Sequence, residues 1–289
     1  MQFTTEVNTF QSALKRAARV IERRNTIPIL GNLMIRIDDG NLLVTGTDLD
    51  IITTVRVGTE FGSAVDGAVT VPGHILRDFV AKLPAGAQVA FEYLGTEGKG
   101  ETQASIKAGR ARAKLSILPA IDFPTFGTIV AGGGDVAEFK MAASDLARAI
   151  SAVEFAISTE ETRYYLNGIF MHRTIDEADG RDVLCFVATD GHRLSKITMP
   201  LPDGAKSLQG VIIPRKTVGE IERITKEVDG DSLITIRVNS AKIEIDAGNL
   251  HLTSKLIDGT FPDYGRVIPR GNNIVAEIAV DDIAAAVDR

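Results

Sequence analysis

The chain repeats itself, and this limits its possible folds more than any other feature. FTTEVNTFQSALKRA from Phe3 matches FKMAASDLARAISAV from Phe139, and TIPILGNLMIRI matches TRYYLNGIFMHR. TGTDLDI matches VATDGHRL, setting Asp48 against Asp190. VTVPGHILRDFVAKL matches VIIPRKTVGEIERIT with Pro72 against Pro214, and SILPAIDFPTF matches SKLIDGTFPDY with Phe123 against Phe261. The matches keep their order at offsets of 136 to 142 residues. A third copy starts at VAEIAVDDIAAAVDR, where Ile283 falls on Leu146. Repetition on this scale points to duplicated domains, since a solenoid repeats every 20 to 50 residues or so.

Each unit reads strand, helix, strands, helix, strands. The spacing predicts an amphipathic helix over 7–22. With Leu14 as reference and about 100° per residue, Val7, Phe10, Ala17, Ala18 and Ile21 cluster within about 60° of it, opposite Lys15, Arg16, Arg19 and Arg23. A second helix follows Pro72 in unit one and Pro214 in unit two, since proline's fixed φ suits a first helical turn. Between the helices the period becomes two. Ile243 and Ile245 alternate with Lys242, Glu244 and Asp246, as in an antiparallel sheet with one wet face. Asp39-Gly40 and Asn239-Ser240 mark hairpin turns, and Asp190-Gly191 reads as a tight hairpin between VLCFVAT and HRLSKITM. The predicted class is α+β, with helices layered on antiparallel sheets. IVAGGGDVAE is the best linker and PRGNN the next.

The net charge of −6 excludes a uniformly basic nucleic-acid binder but not one whose charges are segregated by face. The four predicted helices carry an excess of cations, leaving the acids to sheets and loops. One cysteine, Cys185, sits in an apolar run, permits no internal disulfide and fits a reducing cytoplasm. No segment approaches the roughly 20 apolar residues of a membrane helix. ATDGHRL gathers an acid, an imidazole and a guanidinium, so a hydrolase using His192 and Asp190 is one reading. Neighbouring turn positions favour exposure over a dry cleft. His74, His172 and His251 are scattered without metal-ligand spacing. No GxSxG, P-loop or GxGxxG precedes a helix. The residues therefore predict neither an enzyme nor a cofactor.

TIPILGNL, RYYLNGI, ATDGHRL, VIIPRK and SKLIDGTFPDYGRVIP, in this order, resemble the motifs of the bacterial β sliding clamps, the processivity subunits of DNA polymerase III. The resemblance runs over the whole chain. It implies repeated clamp domains, with sheets outside and two helices per domain lining a basic inner face. These would be domain 1 at 1–130, domain 2 at 135–270 and the start of a third at 275–289. It also implies a cytoplasmic homodimer ring around double-stranded DNA, held without sequence readout. A surface pocket would take peptide motifs of the polymerase III alpha subunit, the clamp loader and other partners. The matching pocket residues are Leu166, Thr189, Gly191, His192, Arg193, Leu194, Pro262, Arg266 and Val267. Read without the family, Leu166 and Pro262 equally fit a domain junction, and His192 an ordinary turn.

The matching DNA contacts are Arg24, Tyr164, Tyr165, Arg215 and Lys216. Two positions depart from the pattern: Glu160 replaces a frequent glutamine and Gly265 a frequent basic residue. The third domain is expected to stop at Arg289, leaving 276–289 little of its own to pack against. A peptide-binding adaptor that does not encircle DNA is the alternative.

Overall fold

A computed structural model describes residues 1–22, 26–57, 64–93, 95, 103–130 and 135–288. Met1–Gly259 is one compact unit and Thr260–Arg289 a second. The first repeat runs β1 (Gln2–Glu6), α1 (Val7–Ala17), β2 (Asn32–Asp38), β3 (Asn41–Thr47), β4 (Ile51–Val57), β5 (Gly67–Pro72), α2 (Gly73–Val80), β6 (Gln88–Glu92), β7 (Gln103–Ala108) and β8 (Ala111–Ser116). The second repeats that order with β9 (Ala137–Ala142), α3 (Ala143–Ser151), β10 (Gly168–Ile175), β11 (Asp182–Thr189), β12 (Leu194–Pro200), β13 (Val211–Pro214), α4 (Arg215–Glu227), β14 (Leu233–Val238), β15 (Lys242–Ala247) and β16 (Leu250–Lys255).

Each repeat builds two antiparallel sheets. β5-β2-β3-β4 corresponds to β13-β10-β11-β12, and β1-β6-β7-β8 to β9-β14-β15-β16. The repeats join at their edges. β4 pairs antiparallel with β16, Leu250 opposite Val55 and Ser254 opposite Ile51, so eight strands form one sheet across both repeats. This pairing covers two edges that would otherwise present free backbone donors and acceptors.

The helical stripe predicted for the first helix is the buried one: Val7, Phe10, Leu14, Ala17, Ala18 and Ile21 all lie in the core. Phe10 meets Phe3 edge to face, and Phe3 stacks on Phe91 with centroids 5.1 Å apart. The helix is shorter than its stripe. It ends at Ala17 rather than at residue 22, the chain tightening into a turn in which Arg19 N donates to the Arg16 carbonyl at 3.2 Å; β3 runs so close here that a Cβ on Gly46 would overlap the Ala17 carbonyl. The second helix of repeat one likewise ends at Val80.

The four helices form two packed pairs. α1 packs on α2 and α3 on α4. The two pairs are joined where Arg16 reaches Glu227 at 2.9 Å and Arg19 pairs with the same carboxylate. The described helices differ in their charge. α1 holds Lys15 and Arg16, α2 and α3 are balanced, and α4 sets four cations against Glu220, Glu222 and Glu227. The predicted cations Arg23 and Arg24 lie outside the described residues.

The linker after repeat one is strapped onto repeat two. The buried Glu244 carboxylate accepts the Ile129 amide at 2.6 Å, and Lys242 donates to the Gly127 carbonyl at 3.0 Å. Lys242 and Lys255 both stand over the Phe126 ring.

In the second unit, a short 3-10 turn spans Tyr264–Arg266 and α5 spans Val280–Val287. Every described residue from Arg266 onward is exposed.

Candidate functional site

ATDGHRL forms a four-residue loop between β11 and β12, not the two-residue hairpin expected. Thr189 and Leu194 close the strand pair, and Asp190 to Arg193 cross between them. One Asp190 carboxylate oxygen accepts both the His192 and Arg193 amides at 3.0 Å, and the other accepts Arg193 Nε at 3.0 Å. The Thr189 hydroxyl donates to the Arg193 carbonyl at 2.8 Å and accepts the Gly191 amide at 3.1 Å. Gly191 sits at φ +88, a left-handed conformation open chiefly to glycine. These bonds stabilise the charged form of Asp190. The two backbone amides, and then the Arg193 side chain, hold its carboxyl down at about 2. A carboxylate so committed is a turn-builder rather than a base for His192. His192 and Arg193 are left exposed at the tip.

Leu166 closes a 3-10 stretch, Glu161–Leu166, and is buried. Arg163, which the sequence reading missed, leaves this stretch in a non-helical conformation and places its guanidinium against Gly191. Its Nε donates to Glu160 at 2.8 Å. That bond, ahead of the influence of His192, lowers the Glu160 carboxyl below its ordinary range. Glu160, unusual for the pattern, is thus the counter-ion of a cation at the loop. Arg193 in turn lies over the exposed ring of Phe155 at 5.7 Å. No sequence motif links 160, 163 and 191; only the folded turn does.

The remaining expected pocket residues belong to the second unit. Pro262, Arg266 and Val267 are all exposed there. Asp263 organises them locally, accepting the Gly265 amide at 3.2 Å and Arg266 Nε at 2.8 Å.

Of the expected DNA contacts, Arg24 lies outside the described residues. Tyr164 is exposed and meets Tyr165 edge to face at 5.7 Å. Arg215 and Lys216 open α4. They line a shallow depression of about 540 Å³ with Ser158, Thr159, Asn167, Gly219 and Arg223. Arg215 makes no ion pair among the described residues. Lys216 is already paired, with Asp48 from the first repeat's loop. It is therefore a bridge between repeats as well as a surface cation.

One arrangement imitates a hydrolytic triad. His251 Nδ1 lies 2.6 Å from Asp246, and its Nε2 lies 3.0 Å from the Thr253 hydroxyl. Thr253 is only 5% exposed, which denies it a substrate, so geometry alone does not make it a nucleophile. Among the described residues no group of three or more His, Cys, Asp or Glu side chains could hold a metal ion, and no helix is long and apolar enough to cross a membrane.

Comparison with known proteins bears on the same segments. Residues 1–127 match the model of the DNA polymerase III beta subunit N-terminal domain, and residues 140–263 that of its central domain. The beta sliding clamp of Caulobacter vibrioides (strain NA1000 / CB15N) is 41% identical over 291 residues, spanning 100% of this chain and 74% of the relative. That of Escherichia coli (strain K12) is 35% identical over 289 residues, with the same coverage. Among solved structures, the sliding clamp of Bartonella birtlesii bound to griselimycin superposes with a TM-score of 0.88 at 40% identity, covering 100% of this chain and 73% of that one.

Proposed function

The chain belongs to the family of bacterial β sliding clamps, the beta subunit of DNA polymerase III, and on that premise we propose that it is a DNA polymerase processivity factor: a ring-shaped clamp that encircles duplex DNA and tethers the replicative polymerase. The observation that carries this reading is the two helix pairs, linked through Glu227, beside a sheet unbroken from one repeat to the next. Such an arrangement is a smooth wall along which a duplex slides. A topological link needs no tight contact, so the modest positive surplus on α1 and α4 suffices to steer and centre phosphates. Lys15 and Arg215, without ion pairs among the described residues, are the cations freest to meet the backbone. Tyr164 and Tyr165 offer aromatic faces, on which unpaired bases stack. In this reading the domains are 1–130, 135–270 and the opening of a third at 275–289, and the protein works in the cytoplasm.

The loop Thr189–Leu194, with Leu166 of the same unit, forms the surface that receives short peptide motifs of the polymerase alpha subunit, the clamp loader and other partners. Leu166 and Leu194 supply apolar contact, while His192 and Arg193 orient the peptide. Retention on circular DNA, loaded with a clamp loader, tests the proposal. Retention on the circle and release on linearisation is the expected result. Salt-labile binding indifferent to topology would refute encirclement, and peptide binding with no retention would leave an adaptor.

A further inference from the structure

The loop of ATDGHRL has a twin in the first repeat, residue for residue. Thr47 Oγ1 donates to the Ile51 carbonyl at 2.9 Å and accepts the Leu49 amide at 3.1 Å. Asp48 accepts the Asp50 and Ile51 amides at 2.9 and 2.7 Å, as Asp190 does those of His192 and Arg193. The closing backbone bonds also match, Asp48 N to Ile51 O at 3.3 Å against Asp190 N to Arg193 O at 3.4 Å. The difference lies at the left-handed position. Where repeat two has Gly191, repeat one has Leu49, at φ +81. A leucine in that conformation is a true outlier and persists only where its surroundings hold it. Its side chain packs on Ile29, Leu30 and Phe123. Leu30 is the sequence counterpart of Leu166, and Phe123 of Phe261.

We propose that the first repeat contains a second copy of the peptide pocket, kept shut by Leu49 as a plug, and that the Leu49/Gly191 difference decides which repeat receives a peptide. The same turn scaffold underlies both. In one the left-handed residue lays a leucine side chain on the apolar cluster beside the turn; in the other it is a glycine, with only the far end of the flexible Arg163 side chain standing against it. The site would accept an apolar peptide side chain of leucine size, because that is the group it now holds. The inference rests on reading Thr189–Leu194 as a peptide-binding loop, and the experiment separates the two ideas.

The test is calorimetric titration of the full chain with griselimycin, the compound bound to the Bartonella birtlesii clamp. Four forms are compared: wild type, Leu49→Gly, Gly191→Leu and the double variant. One compound per chain is expected for wild type, two for Leu49→Gly, none for Gly191→Leu and one for the double variant. The rise of one between wild type and Leu49→Gly belongs to the plug alone. No rise in a folded Leu49→Gly protein overturns the plug, whatever wild type does. A rise from zero to one upholds the plug and rejects the pocket reading in repeat two. Far-UV circular dichroism and cooperative melting establish folding. If the glycine variant does not fold, Leu49→Asn replaces it, since asparagine tolerates the left-handed region and removes the apolar plug.

Discussion

At residue 191 the backbone demands a conformation and the surroundings decide what may adopt it. A side chain in the left-handed region costs roughly 1–2 kcal/mol. Burying a leucine completely returns about 1.5–3 kcal/mol, and Leu49 is only partly buried, so the two terms are of similar size. Gly191 has no such compensation. Gly191→Ala should therefore destabilise the chain by about 1 kcal/mol or slightly more, read as a lower urea midpoint at unchanged slope. The new Cβ meets only the far end of Arg163, which can swing away; a loss of many kcal/mol would show a tighter site than the one described. Asp190 gives a pH signature. Its folded value, about 2, lies below the roughly 3.9 of an unfolded aspartate. Its stabilising contribution is thus complete above pH 4 and fades as pH falls towards 2. Carboxyl chemical shifts followed by NMR should place the midpoint near 2, and a midpoint near 4 would mean the amides do not bind it.

At the scale of elements, the linker strap is the most exposed to test. Glu244 is buried in β15, and its carboxylate satisfies the Ile129 amide. Truncating it leaves a buried donor without a partner, which costs about 1–3 kcal/mol. Glu244→Ala should therefore lower the unfolding midpoint, and hydrogen exchange should quicken at Ile129; protection unchanged there would remove the strap. How much of this was legible differed by element. The apolar stripe of α1 was plain, because burial imposes a 3.6-residue period. Its end was hidden, since the apolar stripe runs on through the turn that follows, where Ala18, Val20 and Ile21 are also buried. The Asp39-Gly40 turn could be read locally, as both residues have positive φ. The β4–β16 seam could not, because a strand does not announce which edge it will meet. The repeat located the Asp190 loop, yet the closeness of Arg163 to Gly191 depends on a kink with no sequence signature.

For the whole molecule, the seam implies that the two repeats rise and fall together. Eight strands share one hydrogen-bonded ladder, and ion pairs from α1 to α4 and from the Asp48 loop to Lys216 tie the same boundary. Exposed ion pairs add little singly; the shared ladder and the core across it carry the coupling. The chain supplies its own reporter, because Cys185 is its one cysteine and lies buried in the second repeat. Phe10 lies in the core of the first repeat, against Phe3. Phe10→Ala should cost about 3–5 kcal/mol, and if the repeats open as one unit that cost appears in full at Cys185. Labelling of the thiol under native conditions should then accelerate by roughly 100-fold or more. Repeats that unfold independently would leave the labelling rate as it is in wild type, while the melting curve splits in two. A clamp made of loosely jointed repeats could bend open anywhere along its wall. Coupled labelling would instead make Met1–Gly259 one stiff unit, so that no opening of the clamp would arise at the seam between its repeats.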